Sequence, residues 1–215
     1  MPDVNPRAAF DTLPDLASRA LSGSVVAASD EEFAQRENLI RPERPVFSAT
    51  EFGARGKVYD GWETRRRRDQ GADWAIVRLG IPGIVHGVVV DTSRFTGNYP
   101  PWISVEALAA DDPMPAADLV QADWVSIVEK SPVVGDRQNP YEVSDPRRWT
   151  HLRLSIHPDG GVARFRVHGV PAPDPRFLTG TVDLAALENG GTVIDCSDAF
   201  YSSAWNMIYP GPARS

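Results

Sequence analysis

The sequence has one cysteine, Cys196, which excludes an intramolecular disulfide and any metal site made of cysteines alone. No apolar run approaches the ~18 residues that a membrane-spanning helix requires, and no membrane association is expected. The opening Met1-Pro2-Asp3-Val4-Asn5-Pro6 has no basic stretch followed by an apolar one. It does not read as a secretory signal, and a cytoplasmic location is the expectation. The four histidines, His86, His151, His157 and His168, share no HxH or HxxxH spacing and signal no metal site. Basic residues are outnumbered, 22 Lys and Arg against 29 Asp and Glu, and a net charge of −7 argues against nucleic acid as a partner.

What is present suits a soluble globular protein. The chain of 215 residues is 42% hydrophobic and 24% charged, enough for one domain with a full core and part of another. Nineteen prolines and 17 glycines, spread along the chain, predict many short elements joined by turns, an all-β pattern. Residues 1–14 read as a leading arm, and a turn opens at Asp15-Leu16-Ala17 and is broken by Gly23. Strands are expected over 24–28, 74–79, 85–91, 102–108 and 124–128, with Ile81-Pro82-Gly83 as a turn and with 41–58 and 111–123 as loops. Ser29 followed by Glu32 fits a helix cap. The clearest local expectation is a hairpin over 151–169 with Asp159-Gly160 at its tip. That register pairs Leu152 with Val167, Leu154 with Phe165 and Ile156 with Ala163 on one apolar face, and Arg153 with Arg166 and His151 with His168 on the other.

The most unusual stretch is Asp60-Gly61-Trp62-Glu63-Thr64-Arg65-Arg66-Arg67-Arg68, with Asp69 and Asp73 just beyond. Four adjacent guanidinium groups cannot be buried unpaired, because desolvating each would cost several kcal/mol. The run is therefore a solvated surface, an ion-pair network or a site that receives an anion. Trp62 and Trp74 beside it favour a walled pocket.

The start of the chain recurs near its end. Asp15-Leu16-Ala17, Gly23, Val25, Ser29-Asp30, Asn38, Ile40 and Pro42 reappear as Asp183-Leu184-Ala185, Gly191, Val193, Ser197-Asp198, Asn206, Ile208 and Pro210. The spacing is constant at 168 residues (183 minus 15), with no gap. This predicts two tandem copies of one domain: a first over 1–170, a proline-rich linker over 171–182, and the truncated start of a second over 183–215.

Four runs carry a family resemblance: Ser29-Asp30 through Glu37-Asn38-Leu39, the 60–68 block, Asp73-Trp74-Ala75-Ile76-Val77-Arg78-Leu79-Gly80, and Asp91-Thr92-Ser93-Arg94-Phe95-Thr96-Gly97-Asn98-Tyr99-Pro100. Together they resemble allantoicase (allantoate amidinohydrolase), over roughly residues 10–215. The resemblance implies two tandem jelly-roll β-sandwich repeats of galactose-binding-like type, in an enzyme that is a homo-oligomer at full length. It implies hydrolysis of allantoate to ureidoglycolate and urea in allantoin (purine) degradation. Where the family loop is expected to carry histidine this chain has Arg94, whose guanidinium does not deprotonate near neutrality.

Allantoate is a small carboxylate with two ureido groups on one carbon. Arginine suits the carboxylate, Asp and Glu suit the ureido N–H groups, and expelling urea needs an acid at the leaving nitrogen and a base or metal to activate water. On that basis Asp60, Glu63 and Asp91 are the catalytic candidates, and Arg65 and Arg67 the carboxylate clamp. Thr92, Asn98 and Tyr99 complete the polar lining. No metal ligand set is assigned, although a divalent ion such as Mn²⁺ on Asp60, Glu63 or Asp91 is compatible with the residue types. The competing reading is a non-catalytic β-sandwich fragment that binds a small ligand.

Overall fold

The structure, a computed structural model, describes residues 8–46, 50, 52–53, 56–110 and 113–211. Residues 1–7 of the expected leading arm, Asp111 and Asp112 of the expected loop, and the last four residues lie outside that set.

In chain order the elements are β1 (Ser24–Ala28), a small ladder of β2 (Phe52–Gly53) and β3 (Gly56–Lys57), β4 (Trp62–Glu63), β5 (Asp73–Asp91) and β6 (Trp102–Leu108). They continue with α1 (Ala116–Gln121), β7 (Val125–Pro132), β8 (Gln138–Glu142), β9 (Arg148–His157), β10 (Gly161–Val162) and β11 (Arg164–Pro171). All pairings are antiparallel. The protein is an all-β jelly-roll sandwich.

β5 organises both layers. Its first half, Asp73 to Arg78, lies between β1 and β9, and that layer continues through β6 to β7. Its second half, Gly83 to Asp91, lies beside β11, with β8 on the other edge from Gly87 onward. The expected turn at Ile81-Pro82-Gly83 is instead a bulge within this one strand. Against β9 the register passes from Arg78↔His151 to Gly83↔Trp149, so four residues of β5 face one of β9. Pro82 sits in that gap, where its missing N–H is not required by the ladder. The bend hands the strand from one layer to the other. Side chains from both layers fill the space between, among them Val77, Leu152, Leu154, Ile156, Val88, Val90, Phe165 and Val167, all fully buried.

The 151–169 hairpin does not form. β9 pairs with β5 and β6, whereas β11 pairs with β5 alone, through Phe165↔Val90 and Val167↔Val88. The two apolar faces expected to lie side by side meet across the core instead. Alternation identifies which face is buried and leaves the neighbour open. Arg153 and Arg166 are therefore not opposed. Arg153 donates through Nε to Glu106 at 2.7 Å and lies over Trp124, and Arg166 meets Asp15 at 3.3 Å.

Two smaller expectations also change. Ser29 caps no helix, and a 3-10 turn forms only later, at Arg36–Ile40. The Ser29 hydroxyl donates to Asp73 at 3.0 Å and accepts from the Trp74 amide at 2.9 Å, which ties the end of β1 to the start of β5. The 111–123 segment, expected as loop, contains α1, whose Leu119 is buried and whose carbonyl accepts from Trp124 Nε1.

Residues 183–211 form turns without strands. Leu187 is buried, and Trp205, Ile208 and Tyr209 pack against the sandwich core, while Ile194, Phe200 and Tyr201 are exposed. No helix among the described residues is long and apolar enough to cross a membrane.

Candidate active site at the loop end of the sandwich

The 60–68 block leaves the core at β4. Trp62, expected as a pocket wall, is a core residue: it is fully buried, and its indole Nε1 donates to the Asp30 carbonyl at 2.7 Å. The next residue, Glu63, turns away from the core. Its backbone is held on one side by Ala34, with both amide-to-carbonyl distances at 3.2 Å, and on the other by Gly161 of β10. Three loops, 29–34, 60–68 and 158–162, are thereby stitched together at one end of the sandwich.

A fourth loop, 92–100, supplies the partner of the Glu63 side chain. Asn98 Nδ2 donates to Glu63 Oε1 at 2.6 Å, and the Asn98 carbonyl accepts the Gly161 amide at 2.7 Å. Gly161 is required for this approach, since a Cβ there would sit 2.0 Å from the Phe95 ring. Glu63 Oε2 has no hydrogen-bond partner among the described residues. Burial pushes the Glu63 carboxyl above its ordinary pKa, and the Asn98 hydrogen bond offsets only part of that shift. The shift favours the protonated form of this carboxyl relative to a solvated one.

The arginines divide by partner. Arg67 is held through both terminal amino groups and its amide: Nη1 donates to Asp73 at 2.7 Å, Nη2 to Asp69 at 2.8 Å, and the amide to Asp159 at 2.8 Å, while its buried Nε has no hydrogen-bond partner among the described residues. Arg65 is held along one edge only, its amide and Nε donating to the two carboxylate oxygens of Asp30 at 3.0 and 2.7 Å. Its two terminal amino groups have no hydrogen-bond partner among the described residues, nor do the side chains of Arg66 and Arg68. With Ser29, Asp30 and Asp73 these arginines line a cleft of ≈ 350 Å³. Asp30, which appears in the sequence only within the recurrence and the family runs, is the group that orients Arg65. It carried no sequence signal for that role.

The other candidates lie elsewhere. Asp60 Oδ2 accepts from Arg164 Nη2 at 2.7 Å and the Val46 amide at 2.9 Å, and Oδ1 accepts from Arg41 at 3.2 Å. Burial alone would raise its pKa, but these hydrogen bonds and the two guanidinium charges hold it below the usual carboxylate range. Asp91 is buried, and its Oδ1 accepts the Ser93 amide at 2.8 Å. Thr92 is also buried, and its hydroxyl bonds the Val134 and Arg137 carbonyls. The Tyr99 ring packs over Gly135. Arg94 adopts φ 72° and donates its amide to Asp136. Asp60, Glu63 and Asp91 thus have separate partners, and no group of three or more metal-ligating side chains converges among the described residues.

A larger cleft of ≈ 880 Å³ lies between the sandwich and residues 193–209. Its titratable groups include pairs already made: Asp15 with Arg166, and His168 Nδ1 with the Leu13 carbonyl at 2.8 Å.

Fold and site together define a β-sandwich that gathers a half-buried carboxyl and an arginine oriented by Asp30 in the loops at one end. The allantoicase repeat model matches residues 14–172, and the chain belongs to the allantoicase family. It is 58% identical to a probable allantoicase of Nocardia farcinica, over 98% of this chain and 65% of that protein. Two solved allantoicase structures, the second from Saccharomyces cerevisiae, are each 35% identical to it, with TM-scores of 0.76 and 0.74. They match 93% and 92% of this chain and 60% and 59% of their own. The chain therefore spans about three fifths of the length of these relatives.

Proposed function

We propose that this chain carries an allantoicase site, hydrolysing allantoate to ureidoglycolate and urea, with Glu63 as its acid–base group. The observation that carries this reading is the half-buried Glu63 carboxyl, raised in pKa, with Oε1 occupied by Asn98 and Oε2 free. Because Asn98 takes Oε1, Oε2 is the oxygen through which Glu63 exchanges a proton in this reading. In the reaction a water oxygen bonds to the central carbon of allantoate, and the bond from that carbon to one ureido nitrogen breaks. Glu63 gives its Oε2 proton to the departing nitrogen, and the proton lost by water returns to Glu63. The outer fork of Arg65, oriented by Asp30, receives the substrate carboxylate. Arg67 braces the loop, and Asp60 and Asp91 hold the surrounding backbone. Membership of the allantoicase family supports the choice of substrate.

Residues 183–211 are, in the same reading, the opening of a second copy of the unit, joined by residues 171–182. The enzyme is assigned to the cytoplasm, where the exposed thiol of Cys196 stays reduced. A homo-oligomer is the form we assign to the full-length enzyme.

The test is urea release from allantoate. Glu63→Gln is expected to lower turnover by about 10²–10⁴-fold, the usual contribution of a general acid. Arg65→Ala should raise KM far more than it lowers kcat. Full activity in Glu63→Gln removes Glu63 from the chemistry. Allantoate that binds the wild-type chain without release of urea selects the binding-module reading.

A further inference from the structure

The two ends of the 168-residue spacing share more than sequence. Asp15 Oδ1 accepts the Ala17 amide at 3.2 Å, and Asp183 Oδ1 accepts the Ala185 amide at 2.9 Å. A 3-10 turn follows in each, Arg19–Leu21 and Leu187–Asn189, and each ends on a left-handed residue, Ser22 at φ 69° and Gly190 at φ 93°. Gly23 and Gly191 then donate to Ser18 and Ala186 carbonyls, both at 3.0 Å. A second 3-10 turn occupies Arg36–Ile40 in one and Ala204–Met207 in the other.

Against this common geometry three positions on one face change character together. Arg19, Glu37 and Arg41 are solvated in the first turn pair, where Arg19 bonds Glu37 and Arg41 lies near Glu43 and Asp60. Their counterparts are Leu187, Trp205 and Tyr209. Leu187 is 0% exposed, and Trp205 and Tyr209 pack against the core. The Leu187–Asn189 turn contacts β11, and Trp205 and Tyr209 line the larger cleft together with Arg166 and His168.

We propose that Leu187, Trp205 and Tyr209 form a dedicated docking seam that fastens residues 183–211 to the sandwich beside β11. The charges at Arg19, Glu37 and Arg41 keep the equivalent face of the first turn pair from docking in the same way. Burying an ion pair would cost several kcal/mol, whereas burying Leu, Trp and Tyr is favourable. Identical turns thus present one face that docks and one that stays in water, which makes the association of the two units one-directional. This inference is independent of the hydrolase reading.

The test is the reciprocal exchange Leu187→Arg with Trp205→Glu in the full chain, followed by hydrogen exchange. The first turn pair already accommodates Arg and Glu at these positions, so the exchange preserves local geometry and removes only the seam. Amides over 183–211 should exchange at least about tenfold faster, while those of β5 and β9 keep wild-type protection. Tyr209→Arg should act in the same direction with a smaller effect. Unchanged protection over 183–211 in both variants overturns the proposal. So does an equal loss over β5, because the segment would then be integral to the sandwich core and not docked on it.

Discussion

At the scale of single residues, the charges near the site are sorted by what reaches them. Arg164 has a side chain only 1% exposed, and Asp60 supplies its counter-charge. Asp60→Asn leaves that guanidinium buried without a carboxylate and should cost about 3–5 kcal/mol, measured by denaturant unfolding. A loss under about 1 kcal/mol would mean that water or backbone carbonyls suffice for Arg164. Glu63 has the opposite sign. Its raised pKa means that its ionisation opposes folding, a contribution to stability that is present at low pH and lost as pH rises through the folded value. Glu63→Gln, expected to lower turnover, should therefore leave thermal stability at neutral pH unchanged or higher. The charge run was legible in the sequence but these assignments were not, because Asp159 and Arg164 approach it from more than ninety residues away.

At the scale of elements, the site depends on short pieces that propensity barely signals. β4 and β10 are two residues each, and they exist because the flanking loops hold them. Gly161 is the point where β10, Phe95 and Asn98 come closest. Gly161→Ala should push the Phe95 ring and its loop outward and withdraw Asn98 from Glu63. The expected outcome is a loss of urea release of about tenfold or more, with a destabilisation of about 1–3 kcal/mol from overpacking. Wild-type kinetics in that variant would mean that Glu63 does not need Asn98. The long strands were read more fully. Alternation marked the buried faces of β9 and β11, yet the reading divided β5 at Pro82, because a proline and glycine in sequence look alike whether they reverse the chain or bend it.

At the scale of the whole molecule, several groups set the response to acid. His151 is buried, and desolvation, reinforced by the charge of Arg78, lowers its pKa from 6.5 to about 4. The unfolded chain takes up this proton first, so stability should fall as pH drops from 6.5 towards 4. Asp60 and Asp30, both held below the carboxylate norm, add a further loss as pH falls through their folded values. His151→Asn should flatten the upper part of that profile in thermal melts taken across the range. An unaltered slope would assign the acid response to the carboxylates alone.

The sequence by itself determined the all-β class, the family, the 168-residue recurrence and the apolar faces of β9 and β11. These follow from local periodicity and residue identity, which each segment carries within itself. Tertiary structure decided that β9 and β11 meet across the core, that Trp62 is core, and that Arg67 is engaged while the outer fork of Arg65 stays open. It also decided that Asn98 bonds the Glu63 carboxylate while Asp60 and Asp91 have other partners. The reason is physical. Each of these depends on which distant group reaches a given atom first, and the antiparallel layering of the sandwich sets that order.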